Sequence, residues 1–222
     1  MTDLTVSQDF DAFVFDMDGT LLDTLPDLVV VTNETMKHFG HPQHTQDEIL
    51  LMVGKGARYL MERALPDGQT DAYIDEVLKY WQHIYPEYGH KFTQPYPGIV
   101  KTLEALKAAG KKTAVLSNKY DEGVKDLASR YFPGLFDLVL GEGPVPRKPD
   151  PTGLKFILQE LGCSADRCAY FGDSAGDMQA AHGAGTYACG VTWGYQTRDA
   201  LIGENANVLL DSADAILSVT RN

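Results

Sequence analysis

Two features of the sequence predict an α/β protein with two domains. From residue 95 onward, apolar runs of strand length alternate with helical patterns, which is typical of a mainly parallel sheet covered by helices on both faces. Between Thr24 and Gly89, by contrast, no strand pattern interrupts the helical ones. We therefore predict a Rossmann-like parallel-sheet core domain over residues 1–23 and 95–222. An all-α domain over residues 24–94 is inserted after the first strand.

The composition argues against several classes of protein. Of the 222 residues, 44% are hydrophobic and 23% are charged, as in ordinary globular proteins. The formal net charge of −12 argues against nucleic-acid binding, which needs a basic surface. The three cysteines form no Cys-x-x-Cys pair, and no apolar run approaches the ~18 residues of a membrane span. We expect no nucleic acid, no membrane and a cytoplasmic location.

The first strand is predicted over residues 11–16, because the short apolar run Phe13-Val14-Phe15 ends in a turn signal. Helix start signals follow in the insertion. Thr24 is a candidate N-cap with Pro26 in the first turn. Thr45 and Glu48 have the spacing of a capping box. With the apolar periodicity, these signals predict helices over residues 24–40, 45–53, 57–65 and 70–88.

The rest of the chain alternates between the two patterns. Gly110 is a candidate C-cap, and Asp150 followed by Pro151 fits an N-cap and the first residue of a helix. The predicted strands span residues 112–116, 138–140, 168–171, 186–191 and 208–210. The predicted helices span residues 99–109, 121–131, 151–161, 174–184 and 198–202, and a last helix starts at residue 212.

Side chains capable of chemistry stand at or after four predicted strands of the core. They are Asp16 and Asp18, Ser117 and Asn118, Lys148, and Asp173 and Asp177. Because open α/β sheets bind ligands at the carboxyl ends of their strands, we expect these side chains to converge on one edge. Two such carboxylates either bind a hard cation such as Mg²⁺ or divide into a nucleophile and an acid/base. The whole set suits phosphoryl transfer.

The chain resembles the haloacid dehalogenase (HAD)-like hydrolases, which are mostly Mg²⁺-dependent phosphatases. The resemblance covers four motifs in order: Asp16-Met17-Asp18-Gly19-Thr20, Ser117, Lys148 and Gly172-Asp173-Ser174-Ala175-Gly176-Asp177. Shorter stretches, at residues 22–28, 53–57, 95–98, 117–119 and 192–195, are similar to the phosphoglycolate phosphatases. The resemblance implies a HAD-like core whose inserted helices form a cap that closes over the cleft and excludes water.

The first and last motifs are interpreted as the reacting groups and the metal site. Asp16 is the predicted nucleophile, which forms an aspartyl-phosphate. Asp18 is the predicted general acid for the leaving oxygen and then the base for water. Asp173 is expected to bind Mg²⁺ together with Asp16 and the backbone carbonyl of Asp18.

The remaining motif residues are interpreted as groups that hold the phosphoryl group. Ser117, with the backbone N–H of Asn118 or Gly19, is expected to bind phosphoryl oxygens. Thr20 is also interpreted as a substrate-binding residue. Lys148 is expected to neutralise charge as a point cation. Each residue alone would be an ordinary turn or loop residue, and their order along the chain favours the functional interpretation.

Four further residues are interpreted as supporting or substrate-binding. Thr24 supports the site as the first residue of the insertion. Asp177 either binds the metal or forms a capping box with Ser174. Lys55 and Arg58, in and after a glycine-flanked loop of the insertion, are candidates to bind the carboxylate of a small phosphorylated acid. The alternative is that this loop is only a solvated connection.

The favoured function is hydrolysis of a small phosphorylated metabolite, with 2-phosphoglycolate first. A β-phosphoglucomutase-like isomerase, an inorganic pyrophosphatase and a phosphonoacetaldehyde-type C–P hydrolase stay open. A dehalogenase is disfavoured, because Asp18 supplies an acid/base that haloacid chemistry does not need. A non-catalytic regulator that retains the fold is disfavoured, because a binding module would not need both Asp16 and Asp18. The sequence leaves open a monomer or a homodimer.

Overall fold

The computed structural model describes residues 6–220, and the chain divides into two compact units. The core unit runs to Leu22 and resumes at Pro95, and the helical unit is Asp23–Gln94. The sequence placed the start of the inserted domain one residue later, at Thr24. The function of the helical unit as a cap stays a prediction.

The core unit is built on one parallel sheet. In the described residues the strands are β1 (Ala12–Phe15), β2 (Leu22–Asp23), β3 (Gln94–Pro95), β4 (Lys112–Tyr120), β5 (Leu138–Glu142), β6 (Cys168–Gly172), β7 (Tyr187–Val191) and β8 (Val208–Leu210). Six of them form a sheet in the order β5-β4-β1-β6-β7-β8, with every neighbouring pair parallel. β2 and β3 form a separate two-stranded sheet. The predicted α/β fold class is confirmed.

Strand β1 lies inside the sheet, between β4 and β6, and all four of its residues are buried. Phe13 and Phe15 pack into the apolar core on one face of the sheet. Ala12 and Val14 pack into the core on the other face. This division follows from the two-residue period of strand side chains. It also explains why β1 is apolar throughout, as is typical of parallel strands covered on both faces.

Helices occur in both units. In the described residues they are α1 (Leu25–His38), α2 (Gln46–Leu50), α3 (Ala57–Ala64), α4 (Asp71–Tyr88), α5 (Ile99–Ala108), α6 (Asp121–Tyr131), α7 (Thr152–Leu161), α8 (Ala175–Ala184) and α9 (Arg198–Gly203). Short 3₁₀ helices occur at Ala165–Arg167 and Ala213–Ser218. Within residues 6–220, no helix combines the length and apolarity needed to cross a bilayer.

Inside the helical unit, Asp27 joins the start of α1 to the last residues before β3. Asp27 is fully buried. Its carboxylate accepts hydrogen bonds from the backbone N–H groups of Lys91, Phe92 and Thr93, at distances from 2.6 to 3.2 Å. The two ends of the unit are therefore tied by charge-assisted bonds, which are stronger than bonds between neutral groups.

Several element limits differ from the sequence prediction. Strand β4 continues to Tyr120 rather than ending at Leu116. The N-cap of α7 is Pro151, not Asp150, although an Asp150 oxygen accepts from the Thr152 N–H at 2.8 Å. Helix α2 has the predicted capping box but ends at Leu50, before residue 53. The last helix, predicted from residue 212, is the 3₁₀ helix Ala213–Ser218.

We predict that Asp27→Ala destabilises the protein by about 3 kcal/mol or more, because it leaves three backbone N–H groups without their carboxylate. Urea unfolding followed by far-UV circular dichroism measures the change in unfolding free energy. The matched control is Asp67→Ala, at an exposed loop position of the same unit, which should change the free energy by less than about 0.5 kcal/mol. A loss no larger than that of the control would contradict the prediction.

Candidate active site

Asp16 directly follows β1 and is held by both backbone and side-chain bonds. Its N–H donates to the Phe171 carbonyl of β6 at 2.9 Å, which extends the sheet pairing by one residue. Its Oδ1 accepts from the Met17 N–H at 2.7 Å and lies 2.8 Å from the Lys148 Nζ. The buried carboxylate therefore has one defined orientation at the carboxyl edge of the sheet.

The turn after Asp16 packs tightly against Asp173. The Met17 carbonyl accepts from the N–H groups of Thr20, Leu21 and Leu22 and so closes the turn. Gly19 has φ +82°, and a Cβ added there would lie 2.3 Å from the Asp173 Oδ2. The position therefore requires glycine both for its conformation and for space.

Lys148 lies at the centre of the site. Its Nζ is 2.8 Å from Asp16, 2.7 Å from Asp177 and 3.1 Å from the Tyr170 hydroxyl. Its backbone is held by Asn118, whose side-chain oxygen accepts from the Lys148 N–H at 2.8 Å and whose amide donates to the Lys148 carbonyl at 3.0 Å. Lys148 is buried, so it is not the solvated loop lysine that its position in the sequence also allowed.

Asp177 caps a helix and holds the lysine at the same time. Its Oδ2 accepts from the N–H and hydroxyl of Ser174, the N-cap of α8, in the predicted capping box. Its Oδ1 accepts from Lys148 and from the Tyr170 hydroxyl. Both oxygens are thus engaged, and the sequence had presented capping and metal binding as alternatives.

Asp173 follows β6 and is anchored through both oxygens. Its Oδ1 accepts from the Thr20 hydroxyl at 3.1 Å, and its Oδ2 accepts from the Tyr195 N–H at 2.6 Å. The Thr20 hydroxyl is thus directed at this carboxylate. Asp16, Asp173 and Asp177 each offer an oxygen within 4.8 Å of the others, so the three form a buried group that could hold a metal ion.

The charges of this group are not balanced. Burial raises the pKa of Asp16 to about 7, and although Lys148 lowers it, Asp177 raises it further. Burial, together with the charges of Asp177 and Asp16, raises the pKa of Asp173 to about 8. Burial alone would lower the pKa of Lys148, but Asp16 and Asp177 outweigh this effect and raise it. One lysine does not neutralise three buried carboxylates, and the residues therefore fit an additional cation such as Mg²⁺.

Asp18 lies near a second buried lysine that the sequence reasoning did not assign to the site. The Lys119 Nζ is 3.4 Å from the Asp18 Oδ1. The Lys119 N–H donates to the Ser117 hydroxyl oxygen at 3.2 Å. Residues 117–119 were part of the family resemblance, but Lys119 was given no role in the site because the predicted strand ended at Leu116, which left these residues as a turn. Tyr170 was missed for another reason, since it was only one apolar residue of a buried strand.

The predicted residues of the helical unit have local contacts. Arg58 pairs with Asp71 at 2.7 Å and with Asp75 at 3.2 Å. The Lys55 Nζ lies 5.0 Å from the centre of the Tyr59 ring. Thr24 is buried and is the N-cap position of α1, but its side chain makes no capping bond. The substrate-binding roles of Lys55 and Arg58 stay predictions.

The chain is similar to known proteins of one enzyme family. Residues 13–191 match the family model described as haloacid dehalogenase-like hydrolase. The chain is 31% identical over 223 residues to a phosphoglycolate phosphatase from Vibrio parahaemolyticus, covering 96% of each chain. It is 36% identical over 184 residues to a phosphoglycolate phosphatase from Aquifex aeolicus, covering 82% of this chain and 84% of the relative.

Two solved structures are similar over nearly the whole chain. One is a predicted phosphoglycolate phosphatase from Haemophilus somnus, with a TM-score of 0.89 and 29% identity, covering 96% of this chain and 99% of the other. The second is CbbY from Rhodobacter sphaeroides in complex with phosphate, with a TM-score of 0.75 and 25% identity, covering 95% of this chain and all of the other.

We predict that the unfolding free energy in excess chelator falls as pH rises from 5.5 to 8.5. The raised pKa values of Asp16 and Asp173 make the folded protein bind more protons than the unfolded chain in this range. This contribution is complete below the ordinary pKa of 3.8 and is lost as pH rises through about 7 and 8.

The Asp173→Asn variant isolates this effect, because it removes one of the two titrating carboxyls. Urea unfolding of both proteins at the two pH values measures the difference. The variant should lose less unfolding free energy than the parent protein, and equal losses in the two proteins would contradict the assignment.

Proposed function

The chain belongs to the haloacid dehalogenase-like hydrolase family and is a phosphoric monoester hydrolase, and from this premise we propose that it is a Mg²⁺-dependent phosphatase acting through an aspartyl-phosphate. The observation that carries the proposal is the position of Asp16. Its buried carboxylate lies 2.8 Å from the Lys148 ammonium, beside two further buried acids that fit a cation.

In the proposed first step, an Asp16 oxygen attacks the phosphorus of the ester and the bond to the leaving oxygen breaks. Asp18, in its acid form, gives its proton to that oxygen, and the product alcohol departs. Asp18 then takes a proton from water as the water oxygen attacks the phosphorus of the aspartyl-phosphate. The Asp16–phosphate bond breaks, inorganic phosphate leaves, and both carboxyl groups return to their starting forms.

The surrounding residues support both steps by position and charge. Lys148 offsets the negative charge that collects on the phosphoryl oxygens. The Ser117 hydroxyl, with the backbone N–H of Asn118, binds those oxygens; the alternative donor, the Gly19 N–H, already donates to the Leu22 carbonyl at 2.9 Å. Asp177 and Asn118 keep Lys148 in place, as their bonds to its ammonium group and backbone support.

The proposed metal ligands are Asp16, Asp173 and the backbone carbonyl of Asp18. When bound, Mg²⁺ would supply positive charge to the phosphoryl oxygens. The unbalanced charge of the buried acids supports a cation at this point, and Mg²⁺ suits a site with few protein oxygens because it keeps several waters. Asp177 is proposed to act through Lys148, because each of its oxygens already accepts two hydrogen bonds, whereas each Asp173 oxygen accepts one from the described residues.

We propose 2-phosphoglycolate as the first substrate to test. Curated relatives covering most of this chain are phosphoglycolate phosphatases, and a structural relative at 25% identity binds phosphate. The helical unit is proposed as the cap that excludes water from the site. Lys55 and Arg58 are proposed as candidates for the substrate carboxylate, and Arg58 also pairs with Glu62, Asp71 and Asp75 of its own unit.

We predict that Asp16→Asn lowers kcat for 2-phosphoglycolate by more than about 10³-fold, because it removes the nucleophile. Steady-state release of inorganic phosphate with Mg²⁺ measures the effect. Asp199→Asn, at an exposed position in the first turn of α9, is the matched control and should retain full activity. Turnover by Asp16→Asn within tenfold of the parent protein would rule out the nucleophile.

The same assay separates the alternative functions. The parent protein is given 2-phosphoglycolate, pyrophosphate, β-glucose 1-phosphate and an aryl phosphate, each with Mg²⁺ and with chelator. Monoester hydrolysis that chelator abolishes supports the proposal. Hydrolysis of pyrophosphate alone, conversion of β-glucose 1-phosphate into its isomer, or turnover in chelator would each contradict part of it.

We predict that Lys55→Ala raises KM for 2-phosphoglycolate about tenfold and leaves KM for an aryl phosphate within twofold, since only the first substrate has a carboxylate to lose a charged partner. Lys79→Ala, at an exposed position of α4, controls for the loss of one positive charge from the same unit. Equal changes for the two substrates would identify the loop as a solvated connection.

A further inference from the structure

The segment of residues 193–195, which follows β7 after one residue, contacts the candidate metal site at two points. The Tyr195 backbone N–H donates to the Asp173 Oδ2 at 2.6 Å. The Trp193 indole Nε1–H donates to the Thr20 backbone carbonyl at 3.0 Å. The segment therefore joins the last motif of the site to the turn that follows Asp16.

Gly194, between these two residues, allows an approach that no other residue would. A Cβ at this position would lie 2.3 Å from the Asp173 Cβ and 2.4 Å from the Gly19 carbonyl oxygen. Contacts this short do not occur in folded proteins. The backbone of the segment thus lies directly against the carboxylate and against the turn.

The two contacts act on the two oxygens of one carboxylate. Tyr195 holds the Asp173 Oδ2 directly. The Asp173 Oδ1 is held by the Thr20 hydroxyl at 3.1 Å, and the backbone of Thr20 is in turn held by Trp193. Thr20 and Asp173 are both buried, and so is the hydrogen bond between them.

We infer that Trp193 is a positioning residue for Asp173 and that it acts through Thr20 to set the affinity of the site for Mg²⁺. The inference rests on the proposed Mg²⁺ site. Groups that orient a ligating carboxylate typically change metal affinity by 10- to 100-fold when they are removed. A carboxylate held at both oxygens also has less freedom to lose when it binds the ion.

Isothermal titration of Mg²⁺ into the substrate-free protein tests this inference without any measurement of activity. Trp193→Phe, which removes the indole N–H, should weaken Mg²⁺ binding by about tenfold or more. Thr20→Val, which removes the hydroxyl, should weaken it similarly. Because Trp193 is proposed to act through Thr20, the double variant should bind Mg²⁺ about as tightly as the weaker-binding single variant. The fold-losses of the two single variants should not multiply.

Thr192→Val is the matched control, because it removes the hydroxyl of the preceding residue, which bonds to the Leu210 carbonyl and to Asp211 rather than to the site. Its Mg²⁺ affinity should equal that of the parent protein. Should Trp193→Phe fail to fold, 3-benzothienylalanine at position 193 keeps the ring shape and removes the N–H, with the same expected loss.

The possible outcomes are distinct. If loss of the indole N–H leaves the Mg²⁺ affinity unchanged, Trp193 has only a structural role, whether or not the unfolding midpoint in chelator falls. That result would overturn the inference but not the proposed metal site. Fully additive losses in the double variant would overturn the route through Thr20. A parent protein that binds no Mg²⁺ would overturn the proposed metal site and the inference together.

Discussion

The ammonium group of Lys148, held 2.8 Å from Asp16 and 2.7 Å from Asp177, is the interaction on which the site depends. Burying one lysine and two carboxylates costs several kcal/mol per ion unless each is paired and hydrogen-bonded. The structure meets this requirement with the two ion pairs and with the Tyr170 hydroxyl, and two hydrogen bonds with Asn118 hold the lysine backbone in place. Asn118 and Tyr170 come from β4 and β6, so the sheet that buries the charges also supplies these bonds. Without that pairing, neither Asp16 nor Lys148 would be stable inside the core.

The pairing leaves an excess of negative charge, and this excess connects stability to chemistry. With one lysine among three acids, the pKa values of Asp16 and Asp173 rise to about 7 and 8. Protons or a cation must therefore accompany the folded site near neutral pH. A proton on Asp16 would weaken it as a nucleophile, whereas a cation leaves the carboxylate ionised and adds charge opposite the phosphoryl oxygens. The excess negative charge that lowers stability thus favours a metal-assisted reaction. Raised pKa values of this kind are common in active sites.

The sequence was sufficient for the fold class and for the expectation that Asp16, Lys148 and Asp173 lie close together, because each follows a buried strand and the sheet brings strand ends together. The catalytic and metal-binding roles of these residues stay predictions. The sequence was insufficient where the arrangement of the site depends on contacts between residues that are far apart in the chain. Lys119 and Asp18 are 101 residues apart, and Trp193 and Thr20 are 173 apart, so no local pattern records either contact. The predicted end of β4 was wrong for a related reason. Ser117-Asn118 is a turn signal by itself, but pairing of Tyr120 with Glu142 across a register shift continues the strand.

Asp177 shows why capping and catalysis need not be alternatives. One of its oxygens completes the capping box of α8, and the other holds Lys148. The N3 position of the capping box requires a side-chain acceptor, which an uncharged amide could also supply. The lysine requires a negative charge, which serine, threonine and asparagine lack. Because one carboxylate serves both, the start of α8 fixes the distance between the helix and the ammonium group. The positions of Asp173 before this helix and Lys148 beside it are therefore set by the same few bonds, so helix stability and the geometry of the reacting groups cannot vary independently.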